Sequence, residues 1–247
     1  CGEREIPAFV IGNGTNLLVS DAGFRGVVVN LSKACGALRV DGEQVIAGSA
    51  VRIKRLTACC EEHGLGGLES LSGIPGTVGG ALRMNAGAFG AEISDRLCWI
   101  EGIAPDGTRQ RWAKSDVDFG YRRAKGLEDR MLIEAAFGLT KTDAALLTDR
   151  RKEIIRKRNA RQPLEVPSAG SVFKRPEGEY AGRLIEAAGC KGLRVGDAMV
   201  SPKHANFIVN LGKATASDVR MVIERVREQV DQRFGVALEL EIELVGF

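Results

Sequence analysis

The run Gly73-Ile-Pro-Gly-Thr-Val-Gly-Gly-Ala-Leu-Arg-Met-Asn-Ala-Gly-Ala-Phe-Gly90 constrains this chain more than any other segment. It holds six glycines, one proline and a single charged side chain. Glycine and proline both penalise a helix interior, so a helix is not expected there. Its low polarity also separates it from a Ser-, Glu- or Lys-rich disordered linker. What remains is an ordered loop whose bare backbone comes close to something. Backbone N–H groups with no side chains in the way are how proteins hold a diphosphate, although a glycine-rich turn between packed strands has the same composition. A second segment, Gly12-Asn-Gly-Thr-Asn16, also joins glycine to threonine, and the pair suits one shared ligand. Neither loop is a standard nucleotide signature. Leu17 stands where the third glycine of a GxGxxG fingerprint belongs, and no GxxxxGK followed by Ser or Thr occurs.

The 247 residues suffice for one large domain or two ordinary ones. A hydrophobic share of 44% and a charged share of 27% fit a soluble globular chain. The net charge of +3 is too small to argue for nucleic acid, and no apolar run of about 18 residues marks a membrane span. Neither a nucleic-acid partner nor membrane insertion is expected. The cysteines stand at 1, 35, 59, 60, 98 and 190, without a CxxC pair and with only His63 and His204 beside them. Zinc-ligand spacing is absent, no metal is expected, and scattered thiols read as reduced, which points to the cytoplasm. The chain opens on Cys1 and enters an apolar segment at once, so its natural N-terminus is expected to be missing.

Apolar patterning predicts strands over residues 6–11, 17–19, 27–31 and 131–139, and hairpins around Asp41-Gly42 and Pro105-Asp-Gly107. A helix is predicted from Val51 to His63, ended by Gly64, and a charged one from Asp143 to Arg161, stopped near Pro163. The composition breaks near residue 142. This divides a domain 1–141 from a domain 142–247. The seven Lys and Arg residues between 150 and 161 read as a solvated helix face or as an attraction for an anion. Thr215-Ala-Ser-Asp218 has the form of a capping box. It opens a helix whose apolar face is Val219, Val222, Ile223, Val226, Val230 and Phe234, ended by Gly235. Residues 236–244 alternate strictly and predict one half-buried strand with Glu239, Glu241 and Glu243 on one side. Short strands with few helices give an α+β chain rather than a doubly wound one.

Three further groups carry chemistry. In Pro167-Ser-Ala-Gly-Ser-Val-Phe-Lys174, Ser171 lies near Lys174 and Arg175. Cations lower the cost of a serine giving up its proton, while a plain turn has the same sequence. Tyr121-Arg122 follows Phe119-Gly120. Lys203, His204 and Asn206 run directly into an apolar strand, a common place for a binding loop.

Taken together and in this order, these segments resemble the UDP-N-acetylenolpyruvoylglucosamine reductase (MurB) family. The resemblance covers essentially the whole chain and is closest to the shorter branch, which lacks an extra tyrosine-bearing loop. It implies an α+β, non-Rossmann, two-subdomain FAD-binding fold of the PCMH/VAO type, followed by a smaller α/β substrate domain. It also implies a strand–helix segment before Ile6. The implied reaction takes hydride from NADPH through FAD to the enolpyruvyl double bond of a UDP-sugar, giving UDP-N-acetylmuramate for peptidoglycan. By the same resemblance the cofactor is held by Gly12, Asn13, Gly14, Thr15, Asn16, Leu17, Gly73, Ile74, Pro75, Gly76, Thr77, Gly79, Gly80, Ala81, Asn85, Gly87 and Ala88. Arg122, Ser171 and Glu241 match the catalytic residues, and Tyr121, Lys174, His204 and Asn206 are implied substrate contacts. Only the motif match selects Glu241 from its two neighbours. Glu243 and Arg175 depart from the family pattern, where a basic residue and an Asn are common. Another FAD-dependent oxidase or dehydrogenase is the competing reading, but it leaves Ser171, Lys174 and Asn206 without a task.

Overall fold

The computed structural model describes residues 6–247; Cys1 lies outside them. The chain divides into two compact units, one comprising the residues up to Gly14 and Val27–Lys157, the other Thr15–Gly26 and Arg158–Phe247.

The first unit is organised by an antiparallel five-stranded sheet in the order Arg109–Ala113, Leu97–Ile103, Met131–Gly138, Gln44–Gly48, Leu38–Asp41. Both predicted hairpins are present in it, their turns made by Gly42 and Gly107 at φ 58° and 84°, a conformation glycine reaches without steric cost. Helix α1 (Ile53–Glu62) lays Ile53, Leu56, Thr57 and Cys60 into the core. A short helix, α2 (Val78–Arg83), then interrupts the glycine run. This corrects the expectation of a purely non-helical loop. Thr77 caps α2 at the Gly80 N–H, and Gly79 must be small, because a Cβ there would lie 2.9 Å from Ser49 Cβ. Close packing outweighs the low helix propensity of two glycines, about 1 kcal/mol each.

Helix α3 (Ala144–Arg161) forms as its charge pattern predicts. Its first part belongs to the first unit, so that unit runs past the break expected near 142. The cause is local: Leu147 is buried, Arg151 and Thr148 bond Glu61 of α1, and Arg150 pairs with Glu69.

The second unit carries an antiparallel sheet in the order Ser168–Ser171, Phe207–Asn210, Ala198–Val200, Arg194–Val195, with α4 (Ala181–Ala187) and α5 (Ala216–Phe234). Five of the six predicted apolar residues of α5 are buried. Phe234, in its last turn, is instead exposed under the Arg233 guanidinium. The tail is not one continuous strand. Leu240 forms a bridge to Phe173, and Glu243–Val245 pairs in parallel with Leu17–Val19. The alternation of burial survives at Leu238 and Ile242 because the segment changes partner and not facing.

The N-terminus of α5 is capped twice. The Asp218 N–H donates to Thr215 Oγ1 (3.0 Å), and the Ala216 and Ser217 N–H groups donate to the Asp21 carboxylate (2.7 and 3.0 Å). Three N–H groups that no helix can satisfy internally are thereby paired. Thr215→Ala is expected to cost about 1 kcal/mol. It should lower the urea midpoint with an unchanged slope; an unmoved midpoint would place the whole cap on Asp21.

Candidate functional site

In the first unit the two glycine loops meet. Gly12 is pressed so closely on Thr77 that a Cβ there would stand 2.5 Å from Thr77 Oγ1. Gly14 takes φ 67° and Gly76 φ 119°, conformations that keep side chains out of the way. Gly12, Asn13 and Gly80 are exposed. A bare, accessible backbone surface of this kind fits the diphosphate of a dinucleotide. Gly73, Ile74 and Pro75 lead into it and line a cavity of about 670 Å³ walled by α1 and α3.

Other residues of the predicted cofactor set are occupied by the protein itself. Ala81 is buried in the core. The Asn85 side chain, fully buried at φ 45°, donates to Glu92 (2.5 Å) and to the Gly120 carbonyl (3.0 Å). Asn85 is therefore a strut, and what it holds is the base of the Tyr121-Arg122 turn. That turn joins Asp118–Gly120 to Arg123–Lys125. Arg122 sits in it at φ 53°, which costs a residue with a Cβ about 1 kcal/mol or more. Its Nη2 donates to the Gly87 carbonyl at 3.0 Å, and its guanidinium lies 4.9 Å from the half-exposed Tyr121 ring. Arg122, Tyr121 and Gly87 thus form one cluster. Gly87 itself admits no side chain, since a Cβ would lie 2.5 Å from the Ala91 carbonyl oxygen. Ala88 pairs with Ala91 beside it.

The second unit brings Ser171 and Glu241 together. The strand Ser168–Ser171 is irregular: Ser168 pairs with Val209 but Ser171 with Phe207, and Gly170 takes φ 72° between them. This is the behaviour of a bulge that re-aims a side chain. Just beyond it, the Glu241 N–H donates to the Val172 carbonyl (2.8 Å) and the Lys174 N–H to the Glu239 carbonyl (2.9 Å). Glu241 therefore lies across from the residue next to Ser171. Among the described residues the Ser171 hydroxyl has no hydrogen-bond partner, which leaves it available to a ligand. The Lys174 ammonium pairs with the exposed Glu239 at 3.3 Å. Glu243, third of the row, is exposed. Thr15, Asn16 and Leu17 also belong to this unit, and Asn16 Nδ2 donates to the Glu241 carbonyl at 2.8 Å.

Two predicted substrate contacts also make bonds within the fold. The buried Asn206 carboxamide accepts from the Phe173 N–H (3.0 Å) and donates to the Phe173 carbonyl (2.8 Å), so it clamps the strand that carries Ser171 and Lys174. His204 accepts from the Asn206 N–H through Nδ1 and packs edge-on against Phe207. One residue was hidden within the basic run: the Arg158 Nε is buried with no partner among the described residues, and burial lowers the guanidinium pKa. Composition could not single it out from six neighbouring cations; only its burial does. Lys203, close to it in space, donates to the Asn159 carbonyl.

Comparison with known proteins bears on both units. Residues 1–112 match a family model described as an FAD binding domain, and residues 162–245 one described as the UDP-N-acetylenolpyruvoylglucosamine reductase C-terminal domain. UDP-N-acetylenolpyruvoylglucosamine reductase 2 of Symbiobacterium thermophilum is 46% identical over 99% of this chain and 80% of its own length. The reductase of Alkalilimnicola ehrlichii is 46% identical over 97% of this chain and 80% of its own. Among solved structures, the reductase MurB of Thermus caldophilus matches with a TM-score of 0.85 at 37% identity, over 98% of this chain and 86% of that one.

Burial lowers the His204 pKa, with Lys191 and Arg161 acting in the same direction. A histidine that binds its proton less readily when folded favours the folded state fully above its unfolded pKa, about 6.5. That contribution is lost as pH falls below this value. Thermal stability is expected to decline between pH 7.5 and 5.5, and His204→Gln to flatten the decline. An equal slope in the variant would assign the effect to other groups.

Proposed function

The chain belongs to the UDP-N-acetylenolpyruvoylglucosamine reductase family, and from that premise we propose that Arg122, Ser171 and Glu241 carry its reductive step. The protein is an FAD-containing, NADPH-dependent oxidoreductase that converts the enolpyruvyl ether of UDP-N-acetylglucosamine to UDP-N-acetylmuramate for peptidoglycan synthesis. The observation that supports the assignment of roles is the pairing of residues 172–174 with 239–241, which sets Glu241 across from Val172, the neighbour of Ser171.

Gly12, Gly14, Gly76 and Gly80 hold the FAD diphosphate, since their backbone is the side-chain-free surface on which the two loops meet, and the buried Thr77 supports it from beneath. Bound FAD supplies the hydride, which it takes from NADPH. The difficulty of the step lies in the substrate: hydride addition to an enol ether builds negative charge on the carbon beside the carboxylate. The planar fork of Arg122 binds that carboxylate with two parallel hydrogen bonds and withdraws the charge. Its strained backbone, its bond to Gly87 and the Asn85 strut fix the fork in advance, so little reorganisation is needed. Ser171 donates its proton to the charged carbon and regains one from water. Glu241 supports the same carboxylate as a protonated acid or through a bound water. Lys174, Tyr121 and Arg158 meet the anionic nucleotide-sugar, Arg158 because its Nε is buried without a partner among the described residues, which is costly until an acceptor arrives. Asn206 and His204 hold the strand that presents Ser171. The same reading puts the protein in the cytoplasm with small-molecule partners rather than nucleic acid; no helix of the described residues is long and apolar enough to cross a membrane.

Ser171→Ala is expected to leave flavin bleaching by NADPH intact and to slow reoxidation by the enolpyruvyl UDP-sugar about 100- to 1,000-fold. Equal loss in both half-reactions, followed by stopped-flow absorbance, would reject the proton-donor role. Arg122→Lys keeps the charge and loses the fork. Reoxidation should fall about 100-fold, and unchanged turnover would reject the carboxylate clamp.

A further inference from the structure

The segment Gly12–Asn16 serves two bodies. Gly12 packs on Thr77 in the first unit, while from Thr15 onward the chain belongs to the second. Asn16 is the residue at which that change has a chemical consequence. Its Nδ2 donates to the Glu241 carbonyl at 2.8 Å, and its own carbonyl accepts the Glu243 N–H at 2.9 Å. On the other side, the Glu241 N–H donates to the Val172 carbonyl at 2.8 Å. Both peptide groups flanking the Glu241 Cα are therefore pinned, one by the strand that carries Ser171 and one by Asn16. Glu241 needs this. It lies in a bend between the Leu240 bridge and the strand Glu243–Val245, so no regular ladder holds it. Beyond Asn16 the segment is anchored again, by Leu17–Val19 on Glu243–Val245, by the Ser20 N–H on the Val245 carbonyl, and by Asp21 on α5.

We propose that Asn16 is a positioning residue for Glu241: its carboxamide, at the end of the cofactor loop, sets where the glutamate of the reductive step stands. One side-chain N–H is thus spent on the Glu241 main-chain carbonyl. The inference rests on the role given to Glu241 above. It also means that the end of the loop, from Asn16 on, and the backbone that carries Glu241 are hydrogen-bonded together within the second unit.

A double-mutant cycle tests it on the full chain loaded with FAD. Asn16→Ala removes one N–H donor and is expected to slow flavin reoxidation about five- to ten-fold, with FAD affinity and flavin reduction by NADPH held within about two-fold. In the Glu241→Gln background the same substitution should have almost no further effect, because residues acting through one another are not additive. Asp21→Asn loosens the segment at its other anchor. It should lower thermal stability and leave reoxidation within about two-fold, which separates positioning from general loosening. Weakened FAD affinity in step with the kinetic loss, full additivity with Glu241→Gln, or an equal loss in Asp21→Asn would each overturn the proposal. If Glu241→Gln itself leaves reoxidation unchanged, the failure lies with the Glu241 assignment, and the cycle then identifies that cause.

Discussion

A ladder of three residues closes the second unit. Leu17–Val19 lies parallel to Glu243–Val245, and the Asn16–Glu241 bond beside it spans a separation of 225 residues. A parallel pair cannot be closed by a tight turn, and bringing such distant segments together is entropically costly however slowly that cost grows with length. So short a contact persists because it is reinforced at both ends: Asn16 bonds to the Glu241 carbonyl, and Asp21 caps α5. The strand Ser168–Ser171, the tail and the cofactor loop's last residue are mutually dependent through it. Without this ladder, neither Glu241 nor the backbone facing Ser171 has a fixed place.

The two units solve the same problem differently. In the first, Arg122 is set by strain and by a buried polar network, Asn85 to Gly120 and Arg122 to Gly87. In the second, Ser171 is set by a bulge and a clamp, Gly170 and Asn206. Buried amides recur in both because one carboxamide presents a donor and an acceptor and can satisfy two backbone groups that secondary structure leaves over. Each amide thereby rigidifies the backbone it bonds: Asn85 the Gly120 end of the Tyr121-Arg122 turn, Asn206 the segment at Phe173.

This explains how much was legible in advance. Turn chemistry was readable because it is local: Gly42 and Gly107 sit at the predicted hairpin tips, and the Thr215–Asp218 capping box is present. The α5 face was readable because its period is. The helix inside the glycine run was not, since Gly79 is selected by the proximity of Ser49, a contact no short-range pattern records. The unbroken tail strand failed for a related reason: alternation reports which side is buried but not how many partners a segment has. The structural bonds of Asn206 and Asn85 were not legible either. Their partners Phe173 and Gly120 are 33 and 35 residues away, beyond the reach of any local pattern.

The basic helix shows the same limit in its electrostatics. As a sequence, the cations of α3 are equivalent. In the fold, Arg150 and Arg151 are taken up by Glu69 and Glu61, and Lys157 by Glu153 one turn away. These pairs are partly or largely solvent-exposed and contribute little net stability; their effect is to cancel the field a basic helix would otherwise project. Of the remaining cations, Arg158 is half-buried and its Nε has no hydrogen-bond partner among the described residues. Burying a guanidinium nitrogen without a partner is unfavourable, and that cost sets this position apart from its neighbours in the run. Three of the seven cations of the run are thus paired with carboxylates, which the sequence alone does not distinguish from the other four.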